Sequence, residues 1–336
     1  MVRAAIVGIG WWGRTLVGAA RGSAALRFTA AHNRTRANAE AFCAEHGLAL
    51  KDSLDDILRD PEIDAVVFTT PHSEHGGQVE RAAAAGKHVL MEKPFTLDVK
   101  SATAALDAAA RAGIVLGVGF HRRFHPATRE LKARVQDGRL GTIVHCHGEQ
   151  NTPAGLFMDK NSWRASASEA PAGGMTASGV HNMDAMIGLF GRVAEVYCRC
   201  TRRAIDYDAQ DTTSVMLDFE NGMTATLLCT LATAANYRLA VFGTKGCAEL
   251  QTQALDFRFT PATNRPATGR YKPAVPELIE YKGFNGLAAQ LDGFAAAVEG
   301  RAALPIAPEE ILHGVAVFEA IVNSAAMRQP VKVART

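Results

Sequence analysis

Three short stretches of the sequence carry residue types that could do chemistry. The first is Gly8-Ile9-Gly10-Trp11-Trp12-Gly13, a G-x-G-x-x-G spacing between an apolar run and an Ala/Leu-rich helical stretch. In that setting Gly8 permits a tight turn and Gly10 lets backbone N–H groups approach a pyrophosphate. Gly13 lets a helix lie close on a strand. The helix N-terminus then faces the anion. Trp11 and Trp12 are bulky for such a loop and are expected against a cofactor or substrate cleft, or packed between domains. The second stretch, about 20 residues further on, is where a ribose-reading residue should end the second strand. It holds Asn33-Arg34-Thr35-Arg36, with no carboxylate for a 2′-hydroxyl. Asn33 can donate a hydrogen bond, and Arg34 or Arg36 can pair bidentately with a 2′-phosphate. The expected cofactor is therefore NADP(H) in preference to NAD(H). The third stretch is Met91-Glu92-Lys93-Pro94, at the end of a predicted strand. Ligands of parallel sheets sit beyond the carboxyl ends of the strands, so Lys93 is expected to point into the nicotinamide cleft. Pro94 fixes the turn and is compatible with a cis bond.

The surrounding pattern supplies the elements that hold these residues. Short apolar runs at 3–9, 26–31, 65–70, 88–91 and 114–119 alternate with helical stretches up to about Gly119. Ser53 and Asp56 form a capping-box signature, and Thr96 is a candidate cap for the helix from Leu97 to Ala112. A helix is expected over Gln78–Ala85, with Gly86 just past its end. Apolar strands alternating with helices predict a parallel sheet covered on both faces. Pro126 then opens a helix that ends near Gly138. Beyond Gly141 the period changes to two. Val215, Leu217 and Phe219 alternate with polar residues, as do Met223, Ala225, Leu227, Cys229 and Leu231, and Asn221-Gly222 joins the two runs as a hairpin. This predicts a mostly antiparallel, open-faced sheet. Residues 253–285 read as irregular, and two helices close the chain, from about Leu287 to Glu299 and from Pro308 to Met327. The expected fold is an α/β Rossmann domain over 1–121 and an α+β domain over 122–336.

Composition excludes several classes. The 336 residues carry a net charge of +2, so no nucleic-acid partner is expected. Met1–Ile9 is too short for a signal peptide, and no apolar run approaches the ~18 residues of a membrane span. A cytoplasmic protein with no membrane partner is expected. The six cysteines lack zinc-site spacing, and Cys198 and Cys200 point to one face of a strand. His145 and His147 share a strand face without a supporting carboxylate triad, so no metal is expected.

The motifs together resemble the Gfo/Idh/MocA family of glucose–fructose oxidoreductases and inositol dehydrogenases. The resemblance rests on GIGWWG at 8–13, TTPHSEH at 69–75, GKHVLMEKP at 86–94, GFHRRFHPA at 119–127 and GGMTASGVHNMD at 173–184. It spans essentially the whole chain. It implies hydride transfer to or from a secondary alcohol or carbonyl carbon of a sugar, cyclitol or related polyol. Lys93 matches the family lysine that hydrogen-bonds the reacting hydroxyl and the nicotinamide ribose. His181 matches the family histidine of G-x-H-x-x-D, the general base in oxidation. Imidazole titrates near neutral pH, and a lysine cation stabilises a developing alkoxide, so these residue types suit the chemistry.

By the same resemblance Thr70, Pro71, His72, His75, Glu92 and His121 are placed beside the cofactor. Substrate contacts are expected from Arg122, Arg123, Lys160, Trp163 and Arg164. Many relatives carry an Asp four residues before the histidine, where this chain has Ala177. Asp184 is expected to anchor its helix. The basic residues would also suit a dihydrodiol or an acidic substrate such as a uronate or aromatic acid. A third reading is a non-enzymatic NADP-sensing regulator. The family's sheet domain implies a homodimer or homotetramer.

Overall fold

A computed structural model describes residues 1–263 and 274–336. The chain falls into two compact units. The first comprises Met1–Phe124 with Asn285–Val315, and the second comprises His125–Phe284 with Ala316–Thr336. The expected boundary at 121/122 thus lies beside the end of the first segment, and a later stretch of chain joins the first unit as well.

In the first unit the chain runs β1 (Val2–Val7), α1 (Trp11–Ala19), β2 (Leu26–His32), α2 (Ala37–His46), β3 (Ala49–Leu50), α3 (Leu54–Arg59), β4 (Ala65–Phe68), α4 (His75–Ala84), β5 (His88–Met91), α5 (Val99–Ala112) and β6 (Leu116–Val118). All six strands are parallel, in the order β3-β2-β1-β4-β5-β6. This is the doubly wound order that puts a crevice beyond the carboxyl ends of β1 and β4. The central strands are buried on both faces, and Ile6, Val66, Val67 and Val89 are fully enclosed. A later helix (Gly286–Val298) adds Leu291, Phe294 and Ala295 to the same apolar core as Ile6, Leu16 and Val67. Burying such Leu and Phe side chains contributes ~1.5–3 kcal/mol each.

Two helix starts differ from expectation. The helix α4 begins at His75, three residues before Gln78. The cap of α5 is Asp98, whose carboxylate accepts from the Ser101 amide at 2.8 Å. Thr96 instead donates its hydroxyl to the Asp98 carbonyl. The extended backbone at Asp98 brings its carboxylate onto the third helical amide, which Thr96 is too far upstream to reach.

The second unit contains α6 (Pro126–Gln136), β7 (Ile143–Asn151), a π-helical segment (Met175–Gly179) running into α7 (Val180–Phe190), and then β8 (Val193–Thr201), β9 (Thr212–Phe219), β10 (Thr224–Thr230), β11 (Asn236–Gly243), β12 (Gly246–Gln251), β13 (Asp256–Pro261), β14 (Glu277–Ile279) and, near the C-terminus, β15 (Val331–Lys332). Its sheet order is β14-β13-β12-β11-β7-β10-β9-β8-β15, antiparallel except for the parallel pair β7–β10. The Asn221-Gly222 turn forms as expected, with Gly222 at φ +83° and the Asn221 side chain accepting from the Met223 amide. Val215, Leu217, Ala225 and Leu227 face the core, while Ser214, Met216, Asp218 and Thr224 are exposed on the opposite face. The stretch 253–285, expected to be irregular, supplies β13 and β14, with Phe257 opposite Ile279; part of it lies outside the described residues. Such short strands form only through their cross-strand partners and leave little periodicity.

The long C-terminal helix, α9 (Pro308–Met327), follows α8 (Gly286–Val298). By length and composition α9 is apolar enough to cross a membrane, contrary to the expectation of no such run; half of its most apolar window is buried within the protein. A core helix passes the same test.

One loop of the second unit is organised by a buried carboxylate. Asp211 is 1% exposed and accepts from the amides of Arg203, Ala204 and Ile205. Burial alone would raise its pKa, but the amide donors outweigh burial and hold it below the ordinary 3.8. A depressed carboxylate pKa stabilises the fold above the unfolded value, and that contribution is lost as pH falls through the folded one. Asp211→Asn is expected to cost ~1.5–3 kcal/mol at pH 7. The deficit relative to wild type should shrink in urea melts below about pH 4. An equal deficit at both pH values contradicts the assignment.

Candidate functional site

The glycine turn follows β1 directly. A Cβ on Gly13 would stand 2.2 Å from the Gly8 carbonyl oxygen, so only glycine lets α1 start this close to the strand. The Ile9 amide donates to Asn33 Oδ1 at 2.9 Å, and Asn33 Nδ2 donates to the Thr35 carbonyl at 2.8 Å. Asn33 therefore ties the end of β2 to the glycine turn. The helix α1 starts with no side-chain cap and no acidic residue in its first turn. The space in front of Gly10 is open, since a Cβ there would meet nothing within 4 Å. Uncapped N–H groups, the positive end of a helix and open space at a glycine make an anion cradle. Trp12 packs against the core, and its indole Nε1 is buried without an acceptor among the described residues. Trp11 is 76% exposed beside it, with ring centroids 5.3 Å apart. These residues fit the pyrophosphate half of a dinucleotide.

At the end of β2 the two arginines differ. Arg36 donates to Asp52 at 2.5 Å and lies 3.2 Å from Glu40. Arg34 is exposed, with its guanidinium outside those pairs. In the sequence the two are equivalent; the Asp52 carboxylate, sixteen residues beyond Arg36, separates them.

The loop after β4 closes the turn from the other side. Thr69 donates its hydroxyl to the Gly8 carbonyl at 2.5 Å. Sequence reasoning missed this contact, which comes from the adjacent pairing of β1 and β4. Thr70 donates to Gln78 Oε1 at 2.6 Å, and Pro71 leads into a short turn that contains His72. His75 is fully buried. Its Nδ1 is 2.9 Å from the Pro94 carbonyl and its Nε2 3.2 Å from the Thr70 carbonyl. Expected as a cofactor neighbour, His75 in fact clamps the Glu92-Lys93-Pro94 turn to the end of β4.

The Lys93–Pro94 bond is cis. Glu92 is buried, and one carboxylate oxygen accepts from the Lys93 amide at 3.2 Å. Gly119, past β6, leaves room for it, because a Cβ there would lie 2.6 Å from Glu92 Oε1. Lys93 is half-buried at the end of β5. His121 follows β6, with its ring 6.2 Å from that of Trp12. Arg122 and Arg123 are buried, and Arg123 pairs with Glu310 at 2.9 Å. That pair gives Arg123 a role in the fold. Gly8, Gly10, Trp12, Glu92, Lys93 and His121 thus gather at the carboxyl ends of β1, β5 and β6 of one sheet.

In the second unit, His181 sits in the first turn of α7 and is 5% exposed. Two glycine contacts set this helix on the sheet. A Cβ on Gly148 of β7 would lie 2.7 Å from Met186, and one on Gly179 would lie 2.3 Å from Cys229 Sγ. Asp184 is buried on the same helix. Ala177 is exposed within the π-helical segment. Of the expected substrate contacts, Lys160 pairs with Asp206, and the Arg164 guanidinium lies 4.1 Å over the Trp163 ring. The Trp163–Ala165 turn is supported by Ala165, Ile205, Tyr207 and Ala209, and Tyr207 donates to the Gly155 carbonyl at 3.1 Å. His145 and His147 share the open sheet face and bond to Thr224 and Thr226.

Comparison with known proteins agrees with this architecture. The oxidoreductase family model GFO_IDH_MocA, an NAD-binding Rossmann fold, matches residues 2–120, and the GFO/IDH/MocA C-terminal domain matches residues 128–249. Inositol 2-dehydrogenase of Rhizobium meliloti is 27% identical over 99% of each chain. A solved aldose–aldose oxidoreductase from Caulobacter crescentus is 26% identical, covering 98% of this chain and 99% of its own, with a TM-score of 0.85. A Desulfitobacterium hafniense protein provisionally described as an NADPH-dependent oxidoreductase shares the fold at 23% identity and a TM-score of 0.90, covering 99% of this chain and 97% of its own. The chain belongs to the GFO/IDH/MocA family. It is an NAD(P)-binding oxidoreductase.

Replacing Asn33 by Ala removes the acceptor of the Ile9 amide and loosens the glycine turn. Loss of one such bond costs ~1–2 kcal/mol, or roughly 5- to 30-fold in affinity. NADH and NADPH titrations followed by tryptophan fluorescence should show equal losses for both. A loss confined to one nucleotide would mean that Asn33 reads the ribose instead.

Proposed function

We propose that this protein is a dehydrogenase or reductase that moves a hydride between a nicotinamide dinucleotide and a secondary alcohol or carbonyl carbon of a sugar, cyclitol or related polyol. The observation that carries this reading is Lys93. It is a half-buried lysine on a proline turn, clamped by His75, at the carboxyl end of β5 in the sheet that also holds the glycine cradle. A bound dinucleotide supplies or accepts the hydride. The chain's own part is proton handling and orientation. The Lys93 ammonium donates to the reacting oxygen and stabilises the alkoxide character it gains as its proton leaves. His181 takes that proton in oxidation and returns it in reduction.

The relatives named for inositol and aldose chemistry support a polyhydroxylated substrate. Trp163 and Arg164 are assigned to the substrate, the guanidinium being presented against the indole face. The open face of the nine-stranded sheet, with Met216 56% exposed, is assigned to self-association as a homodimer or homotetramer.

The cofactor is assigned as NADP(H). Arg34 is exposed at the end of β2, Arg36 is engaged by Asp52, and no carboxylate stands among residues 33–36 to repel a 2′-phosphate. Arg34→Ala should weaken NADPH binding about 10-fold or more, the worth of one charge-assisted pair, and leave NADH binding unchanged. Equal weakening of both, or of neither, contradicts the assignment.

Turnover should be found at 340 nm with a polyol, cyclitol or aldose panel. Lys93→Ala and His181→Ala should each lower kcat about 10²- to 10⁴-fold; nucleotide affinity should change little in His181→Ala and fall no more than roughly 10-fold in Lys93→Ala, the worth of one ribose hydrogen bond. Near-normal turnover in both variants would refute the catalytic roles of Lys93 and His181. Ala177, in place of the usual acid, favours one other reading, a nucleotide-binding regulator. Tight NADPH binding with no turnover on any of these substrates would point to it.

A further inference from the structure

An exposed ion pair stands where the second strand of the first unit ends. Strand β3 lies beside β2, with Ala31 opposite Leu50. Asp52, two residues past β3, is therefore at the carboxyl edge of the sheet, next to residues 33–36. Arg36 immediately precedes α2. Its Nη1 donates to Asp52 Oδ1 at 2.5 Å and to the Leu50 carbonyl at 3.3 Å, and its Nε lies 3.2 Å from Glu40 Oε1. Its Nη2 has no acceptor among the described residues. The Arg36 side chain is 50% exposed and that of Asp52 83%. Arg34 is exposed as well, with no side-chain partner among the described residues.

The pair is weak enough to be exchanged. An ion pair this open to water is worth at most about fivefold in an equilibrium constant. The Asp52 carboxylate offers Arg36 one negative charge. A phosphate monoester offers close to two, on three acceptor oxygens, and a guanidinium can meet it bidentately. The ribose of a dinucleotide sits beyond the end of the second strand, so a 2′-phosphate arrives on the side of the sheet where Arg34, Arg36 and Asp52 stand.

We propose that Arg36 leaves Asp52 to join Arg34 on the 2′-phosphate of NADP(H), and that Asp52 thereby limits how strongly the site prefers NADP(H) to NAD(H). With NAD(H) no phosphate arrives, and Arg36 stays on Asp52. With NADP(H) the pair is broken, and the Asp52 carboxylate is left unpaired near a dianion. Both effects weaken the binding of NADP(H) and leave that of NAD(H) unchanged. Asp52 is thus a specificity-determining residue that acts through Arg36, against the preference that Arg34 creates.

The exchange rests on the NADP(H) reading, and two mononucleotides separate the tests. The probes are 2′,5′-ADP and 5′-AMP, titrated calorimetrically into the full-length protein. Asp52→Asn should tighten 2′,5′-ADP roughly two- to fivefold, the worth of the pair, and leave 5′-AMP within about twofold of wild type. Combining Arg36→Ala with Asp52→Asn deletes the pair with no change in net charge. That double variant should bind 2′,5′-ADP about fivefold more weakly than wild type, with 5′-AMP again unchanged. A double variant that binds 2′,5′-ADP as wild type does overturns the exchange, because a pair that stays together is dispensable. Equal losses for both mononucleotides also overturn it, since Arg36 would then only brace the end of β3 through Leu50. Wild type that binds 2′,5′-ADP no more tightly than 5′-AMP overturns the NADP(H) reading instead. In that case, tightening of 2′,5′-ADP in Asp52→Asn would still support Asp52 as the limiting residue.

Discussion

The close approach of α1 to β1 is the constraint on which the rest of the site depends. Gly13 has no room for a Cβ over the Gly8 carbonyl, and the Ile9 amide is held by Asn33 while the Gly8 carbonyl is held by Thr69. One turn is thereby fixed from both neighbouring strands, β2 and β4. The result is a helix start with no side-chain cap, no acidic residue in its first turn and open space in front of Gly10. In water such a feature would be satisfied by solvent. In this sheet it is a preorganised place for an anion, with little left to order when the ligand arrives.

The Lys93 turn is built with the same economy. Lys93 does not stand alone at the end of β5. His75 bridges the Thr70 and Pro94 carbonyls, and Glu92 folds under Gly119. These are buried contacts between the ends of neighbouring parallel strands, and they fix where the lysine leaves the backbone. In the second unit the corresponding task falls to packing. Gly148 and Gly179 let the His181 helix and its π-helical lead lie directly on the sheet at Met186 and Cys229. A π-helical turn is an uncommon device that recurs at functional sites.

Much of this was readable from residues alone. The glycine spacing, the alternation of strand and helix, the Asn221-Gly222 hairpin and the Glu92-Lys93-Pro94 turn are all local patterns, and local physics sets them. What escaped reading was tertiary. Asn33 was read as a donor to the ribose, yet its amide serves the turn, because only the pairing of β1 and β2 brings it beside Ile9. Arg34 and Arg36 looked alike until Asp52 engaged one of them. Arg123 read as a substrate contact but meets Glu310, nearly two hundred residues away. The strands β13 and β14 carry almost no periodic signal and exist through their partners. The helix α8 gave no hint that its apolar face completes the core of the first unit.

Hydride transfer, as against mere dinucleotide binding, is open to a deuterium experiment. The enzyme would be supplied with NADPH carrying deuterium at the transferable C4 position and a panel of ketoses, aldoses and inososes, and the alcohol products weighed by mass spectrometry. At least one carbonyl substrate should yield an alcohol that has gained one deuterium on its carbinol carbon. Saturable NADPH binding with no deuterated alcohol from any member of the panel would contradict it.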